Sequence, residues 1–228
     1  MLWQRVIVAI PYIWLLIFFL APFAIILKIS TADPIIWQPP FTPMFGDDGT
    51  LLVTSDNYKF LMTDKLYAIT YLKSVFMAAT ATIFCLLLGF PMAYGIARAD
   101  SVTRSILLLL VILPFWISFL LRVYAWMGLL NNYGVINNFL IWLGIIDQPL
   151  QLMYTDFAVY IGLVYSYLPF MILPLYATLE RMDLDLIDVA LDLGARPSQA
   201  FWDVTWPLAR PGIIAGCMLV FIPAMGEY

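Results

Sequence analysis

Apolar residues run in long blocks along this chain, separated by short polar punctuation. The first block extends from Val6 to Ile29 behind a short start containing Arg5, and it outruns the about 7–15-residue apolar core of a cleavable export signal. Ser30-Thr31-Ala32 is a poor small-x-small cleavage site, so the block predicts a retained transmembrane helix. Residues 30–68 change character, with Pro34, Pro39, Pro40 and Pro43 followed by Gly46-Asp47-Asp48-Gly49, too polar and turn-rich to span. An extramembrane loop is predicted there. Two further blocks, Tyr71 to Ala97 and Ser105 to about Leu130, are separated only by the hydrophilic piece 98–104, which predicts a tight hairpin of membrane helices. The apolar stretch from Val135 to Ile146 is too short to cross and predicts an interfacial helix. A fourth span from Asp156 to about Leu179 and a hydrophilic stretch, 180–211, lead into a fifth block from Gly212. That block reaches Tyr228 without a polar flank, so the chain reads as truncated, with a sixth span expected beyond it.

Composition turns these blocks into a fold class. Hydrophobic residues make up 64% of the chain and charged residues 11%, against about a quarter charged in soluble domains. Lipid is therefore the main solvent, and the expected fold is an all-α polytopic bundle with about five spans. The chain has no histidine, and its two cysteines, Cys85 and Cys217, lie in separate apolar blocks. A Ser-His-Asp or Cys-His nucleophile cannot be built, nor can two separated thiols hold a zinc site alone. The chain is expected to have no catalytic and no metal-binding residues, and both thiols read as packing residues. Without a basic stripe, nucleic acid is not an expected partner.

Charge placement gives orientation, because Lys and Arg in short loops resist translocation. Arg5, Arg98, Arg104, Arg181, Arg196 and Arg210 fall on one side; Lys28, Lys59, Lys65, Lys73 and Arg122 fall on the other. Four of the second group lie in or beside the long first loop, which counts weakly, whereas Arg98 and Arg104 bracket a very short one. The N-terminus, the 98–104 turn and the 180–211 segment are thus expected in the cytoplasm. The 30–68 loop, with Asp33, Asp47, Asp48, Asp56 and Asp64, is expected outside.

The cytoplasmic stretch reads as two helices joined by glycine. Asp183, Asp185 and Asp188 load acid into the start of the first, Gly194 supplies the left-handed residue that stops it, and Pro197 suits the first turn of the second. Pro207 is expected to end the second helix, and Ala200, Phe201 and Val204 are apolar contacts at helical spacing. This stretch resembles the cytoplasmic coupling loop of ABC importer permeases, whose pattern is Glu-Ala-Ala, three residues, Gly, nine residues, then Ile-x-Leu-Pro. Here Asp188-Val189-Ala190, Gly194 and Val204-Thr205-Trp206-Pro207 keep the spacing, with Asp for Glu, Val for the first Ala, Val for Ile and Trp for Leu. The runs at 107–116, 122–144 and 162–183 look like the spermidine/putrescine permeases, the putrescine-type subunit in particular.

The resemblance implies a type I ABC importer permease domain across residues 1–228, in a bacterial inner membrane. It implies a second, related permease, two ATP-binding subunits and a periplasmic polyamine-binding protein as partners. It also implies that the 188–207 segment docks on the ATP-binding subunit. ATP and Mg would sit on those partners, since the chain carries no G-x-x-x-x-G-K-[ST] cradle and is expected to bind no cofactor itself. A polyamine pathway should offer carboxylates for charge and aromatic faces for ammonium groups. Glu227, the only acidic residue inside an apolar block, is the first candidate, set against a reading in which it marks the outer end of its helix. Tyr165, Pro169, Ile172 and Tyr176 share one helical face, with Tyr167 on another, and all three tyrosines and Trp116 are pathway candidates set against simple packing. Trp126 is weaker, and Arg122 is expected to snorkel to head groups or pair with an outer carboxylate. Competing readings are an importer of an amino acid, iron chelate or oxyanion, and a secondary transporter, which would need intramembrane charge pairs or paired broken helices.

The topology has a direct check. Cysteines engineered into 188–207 should stay unmodified when an impermeant thiol reagent is added outside intact cells, while cysteines in 30–68 react; labelling of the first set would reverse the orientation.

Overall fold

The computed structural model describes residues 2–36, 40–43, 50 and 52–227, with side chains from residue 7 onward. Pro39, the Gly46-Asp47-Asp48-Gly49 turn and Tyr228 lie outside the described residues, as does the Arg5 side chain. Among the described residues every regular element is helical, apart from an isolated bridge between Pro34 and Phe41. The chain divides into two units, Met1–Tyr71 and Leu72–Tyr228.

In the first unit, α1 (Leu2–Ser30) is apolar on all sides, and its side chains are almost all exposed within this chain. A helix of that kind needs lipid or another chain around it. The predicted loop folds back onto its end: the Asn57 side-chain amide donates to the Ser30 and Ala32 carbonyls at 3.1 and 2.9 Å, and the Ser30 and Tyr58 hydroxyls lie 2.7 Å apart. The loop also holds a short helix, α2 (Asp56–Thr63), and α3 (Lys65–Arg98) starts six residues before the predicted Tyr71. Asp64 explains the early start, because its carboxylate accepts from the Leu66 amide at 2.9 Å and so caps the new helix.

In the second unit, α3 continues from Leu72, followed by α4 (Ser101–Trp116), α5 (Phe119–Leu130), α6 (Val135–Trp142) and α7 (Asp156–Glu180). Then come α8 (Asp185–Asp192), α9 (Pro197–Ala200), a π-helical turn (Phe201–Thr205) and α10 (Trp206–Gly226). The core is built on small residues. Ala209, Gly212, Gly216, Val220 and Ala224 form the buried stripe of α10, and Ala78, Ala81, Cys85, Gly89 and Ala93 that of α3. Met171 of α7 is fully buried between them: a Cβ added at Gly89 would lie 2.9 Å from its Cγ, and one at Gly216 would lie 2.7 Å from its Sδ. In lipid, where apolar association gives little drive, such close approach is what holds helices together. Both cysteines are free; Cys85 is buried and contacts the Val164 carbonyl at 3.8 Å, in keeping with a packing role.

Two expectations are corrected. The third span is not one straight helix from Ser105 to Leu130, because α4 and the run from Phe119 to Trp142 meet at 92°. Pro114 cannot donate to the Leu110 carbonyl, which weakens the last turn of α4. Ile117 and Ser118 then take extended backbone angles, and Arg122 N closes a new helix onto the Ser118 carbonyl at 3.1 Å. Nor does Pro207 end the second coupling helix: Pro197 to Gly226 is one helical run. The π-helical turn explains the continuity. Trp206 N bonds back to the Phe201 carbonyl, and Pro207 then falls in the first turn of α10, where a missing amide costs nothing.

Polar contacts mark the two ends of this unit. At one end Arg104 Nη1 meets Glu180 Oε1 at 2.9 Å and Nη2 reaches the Ala97 and Ala99 carbonyls, joining the 98–104 turn to the end of α7. Asp100 caps α4 in the same turn, accepting from the Thr103 amide at 3.1 Å. The Thr103 hydroxyl and amide hold its carboxyl below the usual range, so the cap stabilises above about pH 4 and is lost as the pH falls through the lowered value. At the other end Lys73 approaches Asp156 at 3.7 Å, an exposed pair of little weight.

Alanine in place of a helical glycine normally stabilises, but at Gly212 the added Cβ would lie 2.6 Å from Thr178 Oγ1 and 2.9 Å from the Pro174 carbonyl oxygen. Gly212→Ala should therefore destabilise by about 1–3 kcal/mol, read as a lower midpoint in thermal unfolding of the detergent-solubilised protein.

Candidate functional site

Two regions hold the predicted residues. The first is the α8–α9 knuckle. Asp183 Oδ1 accepts from the Asp185 amide at 3.1 Å, placing acid at the start of α8. Gly194 has φ +90°, and the Ala195 amide bonds back to the Ala190 carbonyl at 3.0 Å, a glycine-terminated helix end. The Arg196 amide donates to Gln199 Oε1 at 2.8 Å, which opens α9 beside Pro197. Asp188 and Gly194 are exposed, while Ala190, Val204 and Pro207 are half-buried.

Helical spacing does not tell inward from outward here. Ala200 is buried, and Phe201 packs edge-on against Phe90 and Tyr94 of α3 at 5.7 and 6.3 Å. Phe90 also meets Trp206 at 5.5 Å, and Arg98 lies 5.0 Å over the Tyr94 ring. These side chains clamp the π-helical turn to α3. The exposed apolar surface of the knuckle includes Leu184, Leu186, Val189, Leu193 and Trp202 instead, of which only Val189 was named by the motif spacing.

The second region lies at the end of the unit away from the knuckle. A cavity of about 400 Å³ opens between α5, the start of α7 and the end of α10. Its polar groups include Arg122 and Glu227, and its apolar wall includes Trp126, Met127, Leu163 and Tyr165. Glu227 is the residue that closes α10, and its Oε1 accepts from the Tyr167 hydroxyl at 2.6 Å. Glu227 thus marks a helix end and also faces a cavity.

The predicted tyrosine stripe divides. Tyr165, Pro169 and Ile172 line a second cavity of about 470 Å³, formed with Leu107, Val111 and Pro114 among others, and Tyr165 is common to both cavities. Tyr176 lies apart from them, beside Glu180 and Arg104. Tyr167, on the other face, is the buried tyrosine that reaches Glu227. Trp116 ends α4 largely exposed and lines neither cavity. Trp126 stacks edge-on against Tyr165 at 5.3 Å, one turn beyond Arg122 on α5, and that i, i+4 relation was the available sequence signal for both. Arg122 lines the cavity, with its Nε buried.

The loop beneath this cavity is held by Asn137, which is fully buried. Its amide nitrogen donates to the Asn131 and Leu150 carbonyls at 3.2 and 2.9 Å, and its oxygen accepts from the Leu150 amide at 3.0 Å. All its hydrogen bonds close a loop that ends at Tyr154, a non-glycine residue at φ 61°, and Thr155, both at the cavity. Among the described residues no cluster of potential metal ligands occurs.

Residues 85–228 match the family described as "Binding-protein-dependent transport system inner membrane component". The chain is 47% identical over 178 residues to the spermidine/putrescine transport system permease protein PotB of Escherichia coli K12, covering 78% of this chain and 64% of that protein. It is 42% identical over 226 residues to the protein of the same name from Haemophilus influenzae, covering 99% of this chain and 75% of that one. A crystal structure of a bacterial ABC transporter that imports the acidic polysaccharide alginate superposes with a TM-score of 0.67 at 22% identity, over 99% of this chain and 74% of that one. The last comparison concerns the fold alone. The chain spans 64% of the length of its Escherichia coli relative.

Proposed function

Since the chain belongs to the family of binding-protein-dependent transport system inner membrane components, we propose that it is the permease subunit of an ATP-driven importer that carries polyamines such as putrescine and spermidine into the cell. The observation that carries this reading is the 47% identity to a spermidine/putrescine permease over most of the chain. The cavity supports it, since it offers one carboxylate among aromatic and aliphatic walls, the surroundings a flexible organic cation needs.

The protein is a multi-pass inner-membrane protein; its proposed orientation puts the N-terminus, the 98–104 turn and the α8–α9 knuckle in the cytoplasm. The Arg104–Glu180 contact agrees with this, because it joins the two segments that charge placement puts on one side. The knuckle, with Leu186, Val189 and Leu193 exposed, is the surface on which a separate ATP-binding subunit docks. A second permease would complete the pathway, and a periplasmic binding protein would deliver the ligand to the Glu227 end. ATP-Mg belongs to the partner subunits, and this chain works as a transport subunit rather than an enzyme.

In the pathway, Glu227 attracts an ammonium group while Tyr167, a neutral donor, fixes the carboxylate's direction through its hydroxyl. Glu227→Gln should lower polyamine uptake roughly 10–100-fold, the range expected for losing a charge-assisted hydrogen bond, with assembly intact. Tyr167→Phe should lower it only a few-fold. Unchanged uptake by Glu227→Gln in vesicles would remove that residue from the pathway. For the complex as a whole, ATP hydrolysis should rise with a putrescine- or spermidine-loaded binding protein and not with amino acids or oxyanions. Stimulation by an oxyanion alone would overturn the polyamine reading.

A further inference from the structure

The cavity beside Glu227 contains a cation of its own. Arg122 lines the same space, yet it forms no ion pair among the described residues. Its Nε is buried without a hydrogen-bond partner, and its guanidinium lies 5.8 Å from the Phe119 ring centroid. The 92° break after α4 accounts for the placement. The turn at Ile117–Ser118 redirects the chain by 92°, and α5 then supplies one wall of the cavity, with Arg122 in it.

A positive charge in the wall of a cation pathway needs a purpose. Arg122 is held by apolar neighbours and makes no ion pair with Glu227, one of whose oxygens, Oε1, accepts from Tyr167. An ammonium group resting at Glu227 therefore feels attraction from the carboxylate, and any further ammonium in the cavity feels repulsion from the guanidinium.

We propose that Arg122 is a specificity-determining residue that makes the cavity discriminate among linear polyamines by the number of ammonium groups they bring in. This rests on the polyamine reading above. Two like charges several ångströms apart at an effective dielectric near 20 oppose each other enough to change occupancy roughly tenfold, so each ammonium beyond the first is penalised on that scale. The contribution of Arg122 is thus smallest for the diamine and grows through the triamine to the tetraamine.

The test compares transport of putrescine, spermidine and spermine by the complete complex in proteoliposomes, with the same binding protein throughout. The readout is the ratio of kcat/KM between amines, which cancels the binding protein's own preference between variants. Arg122→Gln should raise the spermidine-to-putrescine ratio roughly tenfold and the spermine-to-putrescine ratio further, while Arg122→Lys, which keeps the charge, leaves both near the wild-type values. Should Gln prevent assembly, Arg122→Met, apolar like the surrounding wall, replaces it with the same expected result. If the neutral variants lower all three rates equally, or if Arg122→Lys shifts the ratios as Gln does, the residue serves packing and the inference is overturned. A wild-type complex that moves none of the three amines defeats the proposed function itself, and this inference falls with it.

Discussion

Met171 occupies space that two absent side chains leave open, and the arrangement of the helical unit depends on that fit. Gly89 on α3 and Gly216 on α10 each face it so closely that a β-carbon on either would have to displace it. A bilayer offers no solvent penalty for leaving apolar helices apart, so the attraction must come from dense contact between surfaces that can approach. Met suits the position because its unbranched thioether fills an irregular gap between two backbones. With α3, α7 and α10 fixed in this way, Gly212 lies against Pro174 and Thr178 at one end. At the other end the chain brings Glu227 to Tyr167, 60 residues earlier in sequence.

The same packing connects the two candidate regions. The run from Pro197 to Gly226 begins in the knuckle and ends one residue short of Glu227. Pro207 would interrupt an ordinary helix at this place, but the π-helical turn before it absorbs the extra residue and leaves the run unbroken. The turn is gripped by Phe90, Tyr94 and Trp206, so it is not a free joint. If the knuckle were displaced, a continuous α10 gripped at its start would carry that displacement toward Glu227 at its far end. Coupling of this kind needs a stiff rod and a fixed grip.

How much of this was legible in sequence depended on whether a feature was local. Gly194 and Pro197 were readable because a left-handed residue and a first-turn proline are decided by their own backbone. Pro207 was read by the local rule that proline ends a helix, but the five-residue π-helical turn that places it in a first turn leaves no mark in the residue pattern, and so the helix was ended too early. The break at Ile117–Ser118 was invisible because hydropathy is continuous from Ser105 to Leu130; a block of apolar residues records depth in lipid, not direction. Ala200 and Phe201 show the same blindness at smaller scale, since apolar residues at helical spacing look alike whether they face a partner or their own α3. Tyr167 was set apart from its helix's stripe correctly, but its partner came from the last described residue of the chain, which no periodicity within α7 can supply.

The charge balance of the cavity explains why its parts stay separate. A lone carboxylate in an apolar setting would be costly, and a closed ion pair with Arg122 would satisfy both groups while leaving neither for a ligand. The arrangement avoids each extreme: Tyr167 gives Glu227 a neutral donor, and Arg122 shares the cavity without pairing. A carboxylate so held keeps its attraction for a cation, while the unpaired guanidinium opposes a build-up of positive charge beside it. Transport requires that combination, because a site that binds its ligand too well cannot release it.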